Sequence, residues 1–301
     1  MIYWLLVIIL AYLFFGLGAF FDKLVLVGRP KANSYVFYAS FAGLASFVFL
    51  PFIKFGLPDA NGFMWIILDA VVRIAGLYAM YAAIEKFEVS KVIATIGAVQ
   101  PIFIFILTSL LWGAQIMPAI DIIAFLLLFL GSLLISIEKT PQLTGDYLKV
   151  TMFASAMFSL DYVFAKKVFL SQSFLPGIIW IAVFIFLFAL LFLIPRKSRQ
   201  EIFEKRMVLN KKTQKSFLGA QLSGNFANFL QGFAIFLAPV AFLPILNSLR
   251  GIQYAFLFFI TLLASYFFPK ILKEEISKKV ILQKVASIVI IGVGLAILFL
   301  V

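Results

Sequence analysis

The sequence predicts an all-α polytopic membrane protein whose ten transmembrane helices form two inverted five-helix repeats. The first observation is composition, since 64% of the 301 residues are hydrophobic, 13% are charged and 38 are Phe. Soluble domains average about 45–50% apolar and about 25% charged residues. The second observation is a division into ten apolar stretches, and the third is a pattern that recurs in both halves of the chain.

Polar and turn-forming residues separate the ten apolar stretches, and each stretch is long enough to cross a bilayer. About 20 helical residues span the ~30 Å hydrocarbon core. The predicted spans are 2–21, 35–54, 62–84, 92–112, 117–137, 147–169, 174–194, 217–238, 244–268 and 279–300. They divide into a first repeat at 1–138, a linker at 139–146 and a second repeat at 147–301.

The fourth and ninth spans carry the clearest repeated pattern. Residues 100–108 read QPIFIFILT and residues 253–261 read QYAFLFFIT, so Gln, two Phe and Thr are identical at a constant offset. A unit of five helices crosses the membrane an odd number of times, so its repeat has the opposite orientation. A second match joins the starts of the two halves, where Phe14, Phe20 and Lys23 correspond to Phe158, Phe164 and Lys167.

The distribution of basic residues predicts the orientation in the membrane. Twenty of the 25 Lys and Arg residues fall on one face of the ten-span topology, and three fall on the other. Because basic loops stay in the cytoplasm, we expect the first face to be cytoplasmic and both termini to lie outside. The predicted location is a prokaryotic-type plasma membrane. The net charge of +12 is then read as attraction to anionic lipid and not to nucleic acid.

The loop at 196–215 holds eight of these basic residues. Ser198 and Glu201 have capping-box spacing, which indicates that a helix begins there. Ile202, Phe203 and Met207 fall on one face of that helix. We therefore predict a short interfacial helix lying on anionic lipid, with a disordered basic loop as the alternative.

The chain contains no Cys and no His. This excludes thiol catalysis, disulfides, His-based proton relays and ordinary structural zinc sites. No P-loop is present, so we do not expect ATP to be the direct energy source. We predict that the protein is not an enzyme and uses neither a cofactor nor a metal.

Four ionisable residues lie deep within predicted spans, where charges usually face a bundle interior or a water-filled cavity. Asp161 and Arg250 are expected at similar depth. They either bind a zwitterion such as an amino acid, with Asp161 also able to carry a coupled proton, or form an ion pair that only locks the repeats together. Asp69 and Arg73 are four residues apart on one helix and can pair. That pair is either structural or a gate that substrate opens.

Uncharged polar residues recur on the same spans. Gln100, Gln253, Asn225 and Asn228, together with Gln221 and Asn247, are expected to line a polar cavity, and hydrogen bonding between helices is the alternative. Tyr78 and Tyr81, with Tyr162 and Tyr254, are expected to cap this cavity, and simple packing is their alternative.

Several short motifs resemble a known family. They are Phe15-Gly16 followed by Lys23, Ala98 to Phe103, Phe158 to Tyr162 followed by Lys166-Lys167, and Lys273 to Ser277 leading into Ile291 to Gly294. With these motifs, nearly the whole chain resembles the drug/metabolite transporter superfamily, specifically its ten-helix EamA-like branch. The chain departs from the family pattern at Gly113-Ala114-Gln115, at Tyr254 and at Asp161, and many relatives keep both termini in the cytoplasm.

This resemblance implies a secondary-active transporter of a small metabolite that works by alternating access, in most relatives as an exporter and often with proton coupling. From the residues alone, two alternatives remain open. One is a passive channel, and the other is a membrane-embedded enzyme that modifies a lipid.

Overall fold

The computed structural model describes residues 3–25, 31–87, 89–113, 118–136, 144–203, 211–267 and 278–300. Within these ranges the regular structure is entirely helical. The first half of the chain contains α1 (Tyr3–Val25), α2 (Ala32–Gly43) with a 3₁₀ continuation (Leu44–Phe52), α3 (Ala60–Lys86), α4 (Val89–Trp112) and α5 (Ala119–Ser136).

The second half begins with two long helices, α6 (Gly145–Ser171) and α7 (Phe174–Ala189), the latter extended by a 3₁₀ turn (Leu190–Leu193). A short helix, α8 (Arg196–Phe203), precedes α9 (Lys211–Leu237). The ninth predicted span is divided into a 3₁₀ turn (Val240–Phe242), α10 (Leu243–Ser248) and α11 (Gly251–Phe267), and the last helix is α12 (Lys278–Leu300).

Among the described residues, eight helical stretches are long and apolar enough to cross a membrane. The outward faces of the helices expose Leu and Val at helical spacing, for example Leu6 and Leu10 on α1 and Leu126 and Leu130 on α5. Such a continuous apolar exterior is matched to lipid and not to water. The chain is therefore an all-helical polytopic membrane protein, as predicted. The shorter α5 and the more polar α9 fill the other two predicted spans, and the count of ten spans stays a prediction.

The long helices pack in a reciprocal set of pairs. Helix α1 lies against α9 and α11, α6 lies against α3 and α4, and α5 lies against α12. Small residues permit the closest of these contacts. A Cβ added at Gly131 of α5 would lie 2.6 Å from the Ile291 side chain and 3.1 Å from its backbone nitrogen. On α12, a Cβ at Gly294 would lie 3.0 Å from Leu128.

The break between α10 and α11 is stabilised from other helices. The Ser132 hydroxyl of α5 donates to the Ser248 carbonyl at 2.6 Å and accepts from the Gly251 N–H at 2.9 Å. The Tyr12 hydroxyl of α1 donates to the Leu246 carbonyl at 3.0 Å. Backbone groups released by the break are thereby satisfied in a place where hydrocarbon offers no partner.

One end of the helix bundle is filled by closely packed side chains. All six residues of α10 are buried, and Leu5 and Ile8 of α1 pack in the same core. Lys166 lies beside this layer and is itself buried. Its ammonium group donates to the carbonyls of Ile235, Phe236 and Ala238 at 2.9, 3.0 and 2.6 Å. It thus satisfies carbonyls that the end of α9 leaves without helical partners.

The predicted basic helix exists, but it begins at Arg196 and not at Ser198. It is held against α2 by specific hydrogen bonds. The Asn33 amide donates to the Glu201 carboxylate at 2.7 Å, and the Tyr38 hydroxyl donates to the Ile202 carbonyl at 3.0 Å. Ile202 is buried beneath it, whereas Phe203 is exposed. Residues 204–210 of this loop, residues 139–143 of the predicted linker and the acidic junction at 273–277 lie outside the described residues.

Replacing Lys166 with Met tests the packed end. We expect Lys166→Met to lower the free energy of unfolding by about 3 kcal/mol, because three buried carbonyls lose a charged donor. Lys167→Met is the matched control. Lys167 lies over the Trp112 ring at 4.1 Å from its centroid, and such a contact contributes about 1 kcal/mol. Chemical unfolding in detergent measures the free energy of unfolding of both variants. An equal loss of stability in the two variants would contradict the role assigned to Lys166.

Candidate functional site

A cavity of about 1010 Å³ lies in the middle of the bundle. It is lined mainly by α1, α2, α3, α4, α6, α7, α9 and α11. Small-molecule sites occupy roughly 300–1,000 Å³, so this cavity is large enough for a metabolite. Its walls are mostly apolar, with a small group of polar side chains at the centre, which is the usual composition of a ligand site.

The cavity extends toward the end of the bundle that carries the basic loops. Its lining includes Ile84 near the end of α3, Ile93 near the start of α4 and Lys284 near the start of α12. These helix ends adjoin the basic loops. In the opposite direction its lining includes Phe169 near the end of α6 and Ile235 near the end of α9, whereas no residue of the buried α10 belongs to it. The cavity therefore runs along much of the bundle, beside the packed layer of α10.

Most of the residues expected at the cavity do line it. These are Asp161, Arg250, Gln100, Gln253, Gln221, Asn225, Asn228, Tyr81, Tyr162 and Tyr254. Arg73, predicted as a gating residue, lines the cavity as well. Asn247 does not, because it is buried in α10. Tyr78 does not line it either, which corrects its predicted place. It is 44% exposed and packs on the Phe192 ring. Leu77 and Tyr81, four residues apart, face the cavity, and Tyr78 points about 100° away from Leu77 around α3.

Arg73 and Asp161 form the central ion pair. The Arg73 Nε donates to Asp161 Oδ1 at 2.6 Å. Both pairings considered from the sequence, Asp161 with Arg250 and Asp69 with Arg73, are therefore wrong for this conformation. Helices α3 and α6 are in direct contact, and the Phe158 ring lies against Gly76. This close approach lets Arg73 reach across to the neighbouring helix.

Asp69 lies next to this ion pair without joining it. Its side chain is fully buried, and neither carboxylate oxygen has a hydrogen-bond partner. Arg73 and Asp161 are both within electrostatic reach of it. The cluster therefore places two carboxyl groups around one guanidinium, and Asp69 itself does not line the cavity.

Arg250 has a different environment. It lies at the break between α10 and α11, and its Nη1 donates to the Gln100 Oε1 at 2.8 Å. Gln100 is only 2% exposed, so this bond joins two predicted halves deep in the bundle. Gly97 on α4 leaves the room, because a Cβ there would lie 3.1 Å from Arg250 Cδ and would overlap the Tyr254 hydroxyl.

Three donors around Arg250 have no hydrogen-bond partner. They are the Arg250 Nε, the Tyr162 hydroxyl and the Gln231 Nε2. All three residues line the cavity, and each lies close to the Tyr12 hydroxyl. Gln231 is not among the residues predicted from the sequence to line the cavity. It continues the polar face of α9 that runs through Asn225 and Asn228, three residues further along, so the spacing could have found it.

Comparison with known proteins identifies the fold and nothing beyond it. No family model and no curated protein matches the chain. Among solved structures, 28 chains are similar. One, described only as "Crystal structure of protein", has a TM-score of 0.67 at 11% identity and covers 98% of this chain and 96% of that one. This helical architecture therefore occurs in solved structures, and the family resemblance stays a prediction.

Two isosteric substitutions separate the roles of the buried carboxylates. We expect Asp161→Asn to lower the free energy of unfolding by about 3 kcal/mol, because Arg73 loses its charged partner in a buried place. Asp69→Asn is expected to be neutral or stabilising, because its oxygens accept no hydrogen bond in the folded state. Thermal unfolding in detergent compares the two. The opposite order of stability would show that Asp69 holds Arg73.

Proposed function

We propose that the chain is a secondary-active transporter that exports a small metabolite by alternating access at the central cavity. The observation that carries this proposal is the large central cavity, whose buried polar residues, among them Gln100, Asp161 and Gln253, come from both predicted halves. The resemblance to the EamA-like branch of the drug/metabolite transporter superfamily points the same way. The ten spans as two inverted repeats are part of the proposal.

The reciprocal packing of the helices supports two related halves. Phe14 of α1 packs on Phe226 of α9, with ring centroids 4.7 Å apart. Its predicted counterpart, Phe158 of α6, packs against Gly76 of α3. The contact of α1 with α9 in one half-to-half interface therefore corresponds to the contact of α6 with α3 in the other. Two such units packed around a cavity suit a rocking motion of one unit against the other.

The packed end is suited to act as a gate, because the contacts across it join the two halves. Trp4 of α1 lies 5.4 Å from the Phe242 ring, and the Tyr12 hydroxyl binds the Leu246 carbonyl. Among the described residues these contacts involve no ion pair. They can separate without exposing an unpaired charge to the bilayer.

The proposed sidedness agrees with export. The cavity extends toward the basic loops, which we place in the cytoplasm of a prokaryotic-type plasma membrane. A solute could then enter from the cytoplasm and leave after the packed end opens. Helix α8 and the basic loop beside it would lie at the anionic lipid surface.

Asp69, Asp161 and Arg73 are suited to proton coupling. Two carboxyl groups beside one guanidinium leave one excess negative charge when both are ionised. A single proton makes the cluster neutral. Buried ionisable groups inside a membrane protein commonly mark proton pathways. Asp69 is our candidate for the proton carrier, because its oxygens have no other partner.

Uptake into liposomes tests the transporter proposal. Purified protein should accumulate at least one solute, against its gradient, from a defined mixture of amino acids, organic acids, organic cations and sugars. Mass spectrometry reads the accumulated solute. Native Cys are absent, so the double variant Trp4→Cys/Phe242→Cys can be cross-linked specifically across the packed end. We expect the cross-link to abolish uptake, because the halves can no longer separate there.

A second cross-linked pair is the control for this experiment. Phe105→Cys/Phe125→Cys joins α4 to α5 within the first half, where the two rings are 6.1 Å apart, and it should leave uptake unchanged. Equilibration without accumulation would indicate a passive channel. Release of a lipid headgroup by the pure protein would indicate a lipid-modifying enzyme. Full uptake after cross-linking Trp4→Cys/Phe242→Cys would exclude the gate.

Removing the Asp69 carboxylate tests the coupling. We expect Asp69→Asn to exchange solute across the liposome membrane but to lose stimulation by a proton gradient, because it can no longer gain or lose a proton. Asp121→Asn removes another buried carboxylate, on α5 and outside the cavity, and should stay coupled. Gradient-driven uptake equal to the parent's in Asp69→Asn would rule out Asp69 as the proton carrier.

A further inference from the structure

We infer that the ligand of the central cavity is an organic anion, whose carboxylate is bound by Arg250, Tyr162 and Gln231 while an uncharged apolar body fills the rest. This inference rests on the proposed transport function and adds the class of substrate. It replaces the amino-acid zwitterion, for which the sequence had paired Asp161 with Arg250.

The charges of the cavity differ in how they are neutralised. Asp161 is already paired with Arg73, so it does not offer a free carboxylate to a substrate ammonium group. The hydrogen-bond acceptor found for Arg250 is the neutral amide of Gln100. A half-buried guanidinium without a carboxylate partner favours an anionic ligand, and its fork of donors matches a carboxylate.

The unpartnered atoms around Arg250 have the same chemical character. Arg250 Nε, Tyr162 OH and Gln231 Nε2 can each donate a hydrogen bond, and none has an acceptor. Tyr162 is only 2% exposed and still lines the cavity. Buried donors are almost always satisfied in folded proteins. Three of them around one cavity wall indicate a ligand group that accepts several hydrogen bonds.

Tyr12 lies directly behind these donors. Its hydroxyl is beside Tyr162, Gln231 and Arg250, and it donates its own proton to the Leu246 carbonyl. Tyr12 is fully buried and does not line the cavity. It therefore acts as a positioning residue behind the donors, and it ties them to the break at α10.

The remaining walls of the cavity indicate the polarity of the rest of the ligand. Aromatic and aliphatic side chains dominate the lining, including Phe15, Phe158, Phe229, Ile178 and Ile181. These groups favour an apolar aliphatic or aromatic body. One guanidinium matches one negative charge, so the geometry favours a monocarboxylate.

Matched small molecules test the class of ligand. The probes are hydrocinnamate, its amide, phenylpropylamine and phenylalanine, together with hexanoate and hexanamide. Titration calorimetry of the purified full chain in detergent measures each dissociation constant. We expect a carboxylate to bind at least about tenfold more tightly than its amide, because only the acid satisfies a half-buried cation. The amine and the zwitterion are expected to bind more weakly than the acid.

Two variants locate the headgroup. Arg250→Gln should remove the preference for acid over amide. Tyr162→Phe should weaken hydrocinnamate by about tenfold while leaving the unfolding temperature equal or higher, because it deletes a buried hydroxyl that has no partner in the free protein. A weaker affinity together with an equal or higher unfolding temperature distinguishes a ligand-binding role of Tyr162 from a structural one. It also keeps the test decisive if Arg250→Gln does not fold.

Lys284→Gln is the control for charge. Lys284 also lines the cavity, but its ammonium lies over the Phe258 ring, 4.5 Å from the centroid. Removing it takes away the same charge and should preserve the preference for acid over amide. Loss of that preference in Lys284→Gln, with Tyr162→Phe unaffected, would show that the general positive potential and not the named donors selects the anion.

Other outcomes would overturn the inference. Equal affinity for acids and amides, tighter binding of the amine or the zwitterion, or no binding of either acid at its solubility limit would exclude the proposed class. The transporter proposal can fail separately. If another solute accumulates in liposomes while the acids do not bind, transport stands and the substrate class is wrong. If the acids bind as expected and no solute is transported, the inferred ligand class stands and the transporter proposal is wrong.

Discussion

A helix in hydrocarbon must satisfy its own backbone, and the break between α10 and α11 is the place where this constraint shapes the molecule. The Ser132 hydroxyl serves the Ser248 carbonyl and the Gly251 N–H, and Tyr12 serves the Leu246 carbonyl. With these partners, the chain can interrupt a helix inside the bundle. The interruption turns Arg250 toward the cavity, so the site depends on hydroxyl groups from α1 and α5 that never touch a ligand.

The cations inside the bundle differ in how they are satisfied. Arg73 and Asp161 neutralise each other at 2.6 Å, and Lys166 is surrounded by three carbonyls at the end of α9. Arg250 instead has the neutral Gln100 as its acceptor. Because an unpaired charge in a membrane is unfavourable, a protein retains one where it has a use. The position of Arg250 therefore identifies the side of the cavity where a ligand is expected to bind.

The two ends of the bundle differ in kind. At one end Trp4, Phe242 and the residues of α10 fill the space between the halves with apolar packing and backbone hydrogen bonds. At the other end the cavity extends toward Lys284 and the basic loops. Packing of this kind has few intermediate states, because close-packed side chains either fit or separate. The architecture is thus compatible with two discrete arrangements of the halves.

The sequence by itself determined the class of the protein and most of the polar residues of the site, though not Gln231. Composition and the length of the apolar stretches establish a helical membrane protein, because they reflect the thickness and chemistry of the bilayer. Spacing on α9 placed Asn225 and Asn228 at the cavity, and the pattern shared by α4 and α11 pointed to Gln100 and Gln253. The pairing of charges was decided only by tertiary structure. Asp69 and Arg73 are neighbours along α3, yet the approach of α6 at Gly76 gives Arg73 a different partner. No local pattern encodes that approach, because it depends on how two distant helices pack.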